Sequence, residues 1–252
     1  MSQIKISNRL LSETCWENIA GFDFSINSRA DIWRINISSN LSFLESLSPL
    51  LTHDELARAG RYVHLHDSNR FKISRGALKL IIGRYLNRQP SLIEVVPGVN
   101  QKPYIKNSAL FYNISHSGDW IVLAVSDSAI GVDTEQVNPS FDFNDVIKEY
   151  FSPEEARSIL EEKSPDRFFM IWTRKEALTK ATGKGLDEDL KFIPGLDGDH
   201  YIQGEMLSSS NSWLITSFKL SANYFASVAS IYQAAGIRFW ETDLHDKIFT
   251  YC

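Results

Sequence analysis

The chain contains few cysteines, only Cys15 and Cys252 in 252 residues. Two cysteines cannot build a disulfide framework or a cysteine-rich metal cluster. No apolar run approaches the length that spans a membrane, and the run at 121–125 suits a buried strand. Residues 1–10 mix polar and charged side chains, without the apolar core of a secretory signal. Together these absences predict a cytoplasmic protein.

The chain also lacks an overall excess of positive charge. Its net charge of -5 argues against general nucleic-acid binding. The distribution is uneven, because residues 53–106 hold ten Lys/Arg against four Asp/Glu, a net +6 that leaves -11 for the remainder. A basic segment beside an acidic remainder suits a polyanionic ligand bound with a divalent cation. Solvated helix faces are the simpler explanation for most of these charges.

The spacing of apolar residues predicts a mixture of strands and helices. Hydrophobic residues make up 43% of the chain and charged residues 23%, as in ordinary globular proteins with a large core. Thr52 and Ser152 each precede a glutamate by three residues, which is the spacing of a capping box at a helix start. We expect strands over 30–38, 111–114, 120–125, 130–137, 201–206, 212–220 and 224–232, the last three as an antiparallel meander. Helices are expected over 51–65, 67–86, 150–162 and 166–183.

A weak internal repeat divides the chain. Segment 55–58 resembles segment 154–157, 99 residues later. Four residues within 75–83 have a residue of the same or similar type 100 positions later, within 175–183. The repeat predicts an α+β protein of two pseudo-symmetric halves, residues 1–128 and 129–252. Each half should contain an antiparallel sheet with a long packed helix. An active site at the interface would join the basic first half to the acidic second half.

The helix expected at 166–183 carries a distinctive face. Trp172, Glu176 and Lys180 follow one another at intervals of four, so they stack along one side of the helix. A carboxylate and an ammonium group are thus held together beneath an aromatic ring. A surface ion pair beside a core tryptophan gives the same pattern, so this helix alone does not identify a site.

Three other segments contain candidate site residues. In G-V-D-T-E, Asp133 and Glu135 point the same way on a strand, and their mutual repulsion would be relieved by Mg²⁺. In N-I-S-H-S-G, we expect a strand followed by a turn at 115–119 that exposes backbone N–H groups to a phosphate, with His116 as a further donor. In K-P-Y, Lys102 begins a strand or loop. Each segment alone also fits an ordinary solvated or backbone-bonded side chain.

Taken in order, the motifs K-P, N-I-S-H-S-G, G-V-D-T-E and W-T-R-K-E-A-L-T-K resemble the 4′-phosphopantetheinyl transferase superfamily, over residues 50–186. The length and the paired halves resemble its larger, surfactin-type class, which implies a monomer. The resemblance implies transfer of the 4′-phosphopantetheine group from coenzyme A to a serine hydroxyl of an acyl or peptidyl carrier protein, with Mg²⁺ as cofactor and release of 3′,5′-ADP. Such enzymes serve pathways such as polyketide or nonribosomal peptide biosynthesis, with no nucleic-acid or membrane partner.

The resemblance also implies a role for each matching residue. Asp133, Glu135 and Glu176 would be the metal ligands, and Asp133, Glu176 and Lys180 the catalytic residues. Coenzyme A contacts are implied for Arg58, Arg70, Arg75, Lys102, Ser115, His116 and Lys175. Gln101 replaces a usual glycine, and Glu55 replaces a basic residue of some relatives, with Arg61 as a nearby substitute. The second departure predicts altered recognition of the 3′-phosphate.

Two other interpretations account for the same residues. One is a Mg²⁺-dependent nucleotide phosphohydrolase, which would release free product without modifying a carrier. The other is a non-catalytic coenzyme A-binding protein. The intact set Asp133, Glu135, Glu176 and Lys180 argues against the latter, because binding alone would leave those charges without a use.

Overall fold

The computed structural model describes residues 2–19, 22–162, 164–185, 188–231, 236–246 and 249; Cys252 and the last residue of the strand expected at 224–232 lie outside them. The strands are β1 (Gln3–Leu10), β2 (Glu17–Asn18), β3 (Ala30–Asn36), β4 (Val95–Pro97), β5 (Pro103–Ile105), β6 (Phe111–Ser117), β7 (Trp120–Ser126), β8 (Ile130–Gln136), β9 (Gly198–Gln203), β10 (Trp213–Ser221), β11 (Tyr224–Ile231) and β12 (Ile237–Glu241). The helices are α1 (Leu44–Leu47), α2 (His53–Ala59), α3 (Leu65–Leu86), α4 (Asn144–Tyr150), α5 (Pro153–Glu162) and α6 (Pro165–Thr182). Of the described helices, none is both long and apolar enough to cross a membrane.

The first sheet has the strand order β2-β12-β3-β7-β6, and α3 packs on one of its faces. The apolar run at 121–125 lies in β7, where it is buried on both faces as expected for a central strand. Trp33 of β3, Leu123 of β7 and Ile81 of α3 belong to one buried cluster. Burial of these side chains attaches the basic helix α3 to the sheet.

The second sheet has the order β8-β11-β10-β1-β9, and α6 packs across β8, β11 and β10. This helix begins and ends where the sequence predicts. Ser164 caps the Asp166 N–H, Pro165 takes the first helical position, and Gly183 ends the helix in the left-handed region at φ +74°. Ala177 and Leu178 pack into the buried cluster beneath the sheet, which fixes the rotation of the helix.

The two halves repeat the same order of elements. β3 and β8 begin at Ala30 and Ile130, and α3 and α6 begin at Leu65 and Pro165, 100 residues apart in both cases. β3 pairs antiparallel with β7, and β8 pairs antiparallel with β11 in the same way. The predicted two-half α+β fold is therefore confirmed.

The terminal strands cross between the halves, which the sequence did not predict. β1 runs parallel to β10 within the second sheet, and β12 runs parallel to β3 within the first. The sheets are therefore mixed rather than purely antiparallel. A boundary between residues 128 and 129 separates the central segments of the two halves. It places β1 in the first half although β1 joins the second sheet, and β12 in the second half although β12 joins the first sheet. The meander expected over 201–232 is also wrong, because β1 lies between β9 and β10.

Several element boundaries differ from expectation. β6 continues through Ser117, because Gly118 at φ +51° and Asp119 close a two-residue turn in place of the longer turn expected at 115–119. The helix expected over 51–65 ends at Ala59, and the one expected from residue 150 begins at Pro153. Both predicted capping boxes are present, with side-chain and backbone bonds in each direction.

Helix α6 approaches β8 most closely at Gly131. A Cβ atom there would collide with the backbone of Ala177 and Ala181. We expect Gly131→Ala to lower the free energy of unfolding by about 1–3 kcal/mol, because α6 must move away from the strand. Urea unfolding measures this, with Gly60→Ala as the control, since a Cβ at Gly60 has ordinary contacts at 3.6 Å. Equal stability of the two variants would contradict the close-packing argument.

Candidate active site at the seam between the sheets

β6 and β8 are the edge strands at which the two sheets meet, and this junction is called the seam below. In the described residues the two strands belong to separate sheets, and polar side chains join them. Asn113 Oδ1 accepts the Val132 N–H at 2.8 Å, and Ser117 Oγ accepts the Gln136 N–H at 3.0 Å. Because α6 also packs on β8, the seam combines side chains from three elements.

Asp133 is the centre of the seam. Its Oδ1 accepts hydrogen bonds from Lys180 Nζ at 2.6 Å and Ser115 Oγ at 2.9 Å, and Lys180 Nζ lies 3.1 Å from Ser115 Oγ. Asp133 is only 3% exposed, whereas the Lys180 side chain is 31% exposed. Among the described residues, the buried Oδ2 of Asp133 has no hydrogen-bond partner. A buried carboxylate oxygen of this kind is costly unless a ligand or water binds it.

Glu135 and Glu176 both lie close enough to the carboxylate of Asp133 for its charge to affect them. Burial and the neighbouring Asp133 raise the pKa of Glu135, whose Oε2 accepts a bond from Ser117 Oγ at 2.9 Å. Burial, together with the charges of Asp133 and Glu135, raises the pKa of Glu176 to about 7. The structure thus brings Asp133, Glu135, Glu176 and Lys180 together, two carboxylates from a strand and two side chains from a helix.

These carboxylates suit a divalent cation in their chemistry. The unpartnered Oδ2 of Asp133 and the raised pKa values of both glutamates indicate negative charge that is incompletely neutralised. Within the part of the chain that the structure describes, no three acidic, His or Cys side chains are already arranged to enclose an ion. Mg²⁺ does not require such a cage, because it binds through one or two carboxylates plus substrate phosphates.

Lys102 lies at the edge of the seam, but its ammonium group is engaged by the protein. Its Nζ donates to Ala181 O at 2.6 Å and to Ile130 O at 3.3 Å, and burial lowers its pKa to about 8. Lys102 lines a cavity of about 480 Å³ and also a second cavity of about 220 Å³, which Glu176 and Lys180 line as well. The bonds to the two carbonyl oxygens use two of the three N–H donors of the ammonium group, which leaves one for a phosphate.

The candidate arginines lie on the first half. The guanidinium carbons of Arg58 and Arg75 lie 5.1 and 5.5 Å from the ring centroid of Phe71. Arg75 also lies 3.8 Å from Glu55, whose other oxygen pairs with Lys79 at 2.9 Å. Glu55 is thus bound by basic neighbours, and it neutralises part of the positive charge of this surface.

His116 connects this basic surface to the seam. Being next to Ser115 on β6, it points to the opposite side of the strand. Partial burial and the positive charges of Arg70 and Lys180 lower its pKa. Arg70 itself pairs with Asp67 at 2.8 Å. The expected contacts His116 and Ser115 therefore lie on different faces of one strand, Ser115 at the carboxylates and His116 towards the arginines.

The coenzyme A contact expected for Lys175 is wrong. The side chain is fully buried on a different face of α6, where Nζ pairs with Glu155 at 2.9 Å and donates to Leu190 O and Ile193 O. Burial lowers the pKa of Lys175, and Glu155 opposes that shift. Lys175 therefore anchors the loop after α6 and does not face the seam.

Asn113 and Ser117 are the seam residues that the sequence analysis missed. A signal was present in N-I-S-H-S, because residues 113, 115 and 117 alternate and so share one side of a strand. Because a turn was expected at 115–119, the alternation of residues 113, 115 and 117 was not recognised as that of a strand.

Comparisons with known proteins match most of the chain. A profile described as the 4′-phosphopantetheinyl transferase superfamily matches residues 129–229, and one described as 4′-phosphopantetheinyl transferase, N-terminal, matches residues 34–128. The 4′-phosphopantetheinyl transferase HetI of Nostoc sp. is 35% identical over 169 residues, which cover 64% of this chain and 71% of HetI. A 4′-phosphopantetheinyl transferase of Bacillus subtilis is 31% identical over 176 residues, covering 68% of this chain and 77% of that relative. Sfp, from the same species, is 26% identical over 196 residues, covering 76% of this chain and 85% of Sfp.

Proposed function

Since this chain belongs to the 4′-phosphopantetheinyl transferase superfamily, in its surfactin-type class, we propose that the seam is its active site. The enzyme transfers phosphopantetheine from coenzyme A to carrier proteins. The proposal concerns which residues do this. Its main support is that Glu135, Glu176 and Lys180, all partly buried, meet around the buried Asp133. His116 on the neighbouring strand lies close enough to Arg70 of the basic helix α3 for the two charges to interact.

The two halves would divide the substrate between them. Segment 1–128 would hold the coenzyme A phosphates with a set that comprises Arg58, Arg70, Arg75, Lys102, Ser115 and His116. Segment 129–252 would provide the carboxylates and Lys180. Support comes from the net +6 of residues 53–106, because a diphosphate with a 3′-phosphate requires several cations. Because the two halves of the chain would form the site between them, the site would not require a second copy, and we propose a monomeric enzyme.

Asp133, Glu135 and Glu176 would hold a Mg²⁺ ion, which when bound would neutralise negative charge on the diphosphate oxygens. Glu176, directly or through water, would accept the proton of the carrier serine hydroxyl as the serine oxygen attacks the β-phosphorus. The bond from that phosphorus to the bridging oxygen breaks, and 3′,5′-ADP leaves. A pKa near 7 suits a general base at neutral pH. Lys180 would stabilise the negative charge on the transferred group.

The direct test is to mix the protein with coenzyme A, Mg²⁺ and a panel of apo carrier proteins, and then weigh the carriers. We expect at least one carrier to gain the mass of phosphopantetheine, with loss of the gain when a chelator removes the cation. Hydrolysis of coenzyme A without carrier modification would favour the phosphohydrolase. Binding of coenzyme A without either reaction would favour a non-catalytic protein.

The raised pKa of Glu176 predicts a pH-dependent stability in the absence of cations. Its folded pKa is about 7 against an ordinary value of 4.5, so protonation of Glu176 favours the folded state. That contribution is complete below the ordinary pKa and is lost as pH rises through about 7, a change of about 3 kcal/mol.

Urea unfolding in a chelator, compared between wild type and Glu176→Gln at acidic and alkaline pH, measures this contribution. Wild type should lose stability relative to the variant as pH rises, and added Mg²⁺ should reduce the loss. A difference that does not change with pH would contradict the assigned environment of Glu176.

A further inference from the structure

The hydroxyl group of Ser117 on β6 makes two hydrogen bonds across the seam, both to β8. Its Oγ accepts the Gln136 N–H at 3.0 Å and donates to Glu135 Oε2 at 2.9 Å. Because the backbone N–H occupies an acceptor position on the oxygen, the hydroxyl proton is left for the carboxylate. The rigid backbone of β8 therefore orients the serine, and the serine in turn orients Glu135.

The same relation recurs two residues earlier along β6. Ser115 Oγ donates to Asp133 Oδ1 at 2.9 Å and accepts from Lys180 Nζ at 3.1 Å. Asn113, two residues earlier again, binds a backbone N–H of β8 at 2.8 Å. Alternate residues of a strand share one side, so the period of β6 matches the period of the carboxylates on β8. The two hydroxyl groups thus reach the two carboxylates in register.

We propose that Ser117 is a positioning residue for the divalent cation, because it holds Glu135 in the orientation in which that carboxylate binds the ion. This inference rests on the proposed function of Glu135. Without the hydroxyl, the Glu135 side chain would regain rotamer freedom that cation binding must remove again. Groups that orient a metal ligand through a hydrogen bond typically change metal affinity by roughly ten- to a hundredfold.

The test uses Mn²⁺ as the probe and calorimetry of the 252-residue chain without a carrier. We expect Ser117→Ala to weaken Mn²⁺ binding about tenfold, and Ser117→Thr, which keeps the hydroxyl, to restore most of it. Ser7→Ala is the matched control. Ser7 Oγ also donates to a carboxylate, Asp199 Oδ1 at 2.6 Å, but at the opposite edge of the same sheet. Its removal should leave Mn²⁺ affinity unchanged.

A second comparison separates positioning from a general effect on the fold. If Ser117 acts through Glu135, Ser117→Ala should have no further effect in a Glu135→Gln background. An equal loss in both backgrounds would overturn the inference, as would unchanged Mn²⁺ affinity of Ser117→Ala beside a clear loss in Glu135→Gln. In the latter case the proposed cation site would stand. Failure of the wild type to bind Mn²⁺, with or without coenzyme A, would overturn both.

Discussion

Replacement of Glu176 by glutamine is expected to lower kcat for carrier modification by about 10²–10⁴-fold. Glutamine keeps the size of the side chain but cannot accept the serine proton, and it is a weaker cation ligand. Glu176 is half-buried beside Asp133 and Lys180. Its pKa of about 7 lies near neutral pH, where a general base is most effective. Carrier mass, measured over time with saturating coenzyme A and Mg²⁺, gives the rate.

The control for this prediction is Glu161→Gln, which changes an exposed glutamate on α5 in the same way. Its rate should match that of the wild type. Thermal unfolding shows whether Glu176→Gln remains folded. We expect it to, because glutamine has nearly the same shape and removes a negative charge that its surroundings disfavour. A folded Glu176→Gln variant with a kcat close to that of the wild type would remove Glu176 from the reaction.

Replacement of Lys175 by methionine is expected to destabilise the protein by about 3–5 kcal/mol. The substitution leaves Glu155, itself 2% exposed, without its buried cation. Glu155 would still accept the Gly195 and Ser152 N–H groups, which cannot neutralise its charge. Urea unfolding measures the loss, and Lys191→Met, at an exposed lysine, is the control.

Two further results bear on the Lys175 prediction. The double variant Lys175→Met/Glu155→Gln should be more stable than Lys175→Met, because the unpaired buried carboxylate is gone. The KM for coenzyme A should be nearly unchanged in Lys175→Met at temperatures where it is folded. A raised KM with wild-type stability would instead return Lys175 to the coenzyme A contacts.

The central helix shows what local sequence determines. Its apolar spacing and the shared face of Glu176 and Lys180 both depend on the helical repeat, and the helix forms within one residue of the predicted range. The error at Lys175 has the same origin. Successive residues on a helix differ by about 100° in direction, so the neighbour of Glu176 points into the core. The motif match implied a coenzyme A contact for Lys175, but its side chain points into the core and away from the seam.

The terminal strands show what local sequence leaves open. Ile4 and Ile6 of β1 are buried, and their spacing is that of a strand. One of the two partners of β1 is β10, more than 200 residues away, and this pairing is parallel. Nothing in the spacing of either strand specifies that partner, because parallel neighbours share no turn. Similarly, the carboxylates on β8 were predicted, but their serine partners on β6 depend on how two sheet edges meet.

The most direct test of the central claim is the position of a bound cation. Crystals grown with Mn²⁺ and coenzyme A allow the ion to be located by its anomalous scattering. We predict one ion in contact with Asp133, Glu135 and Glu176, with the diphosphate of coenzyme A beside it. An ion bound elsewhere, or coenzyme A bound away from the seam, would contradict the assignment of these carboxylates as the catalytic centre.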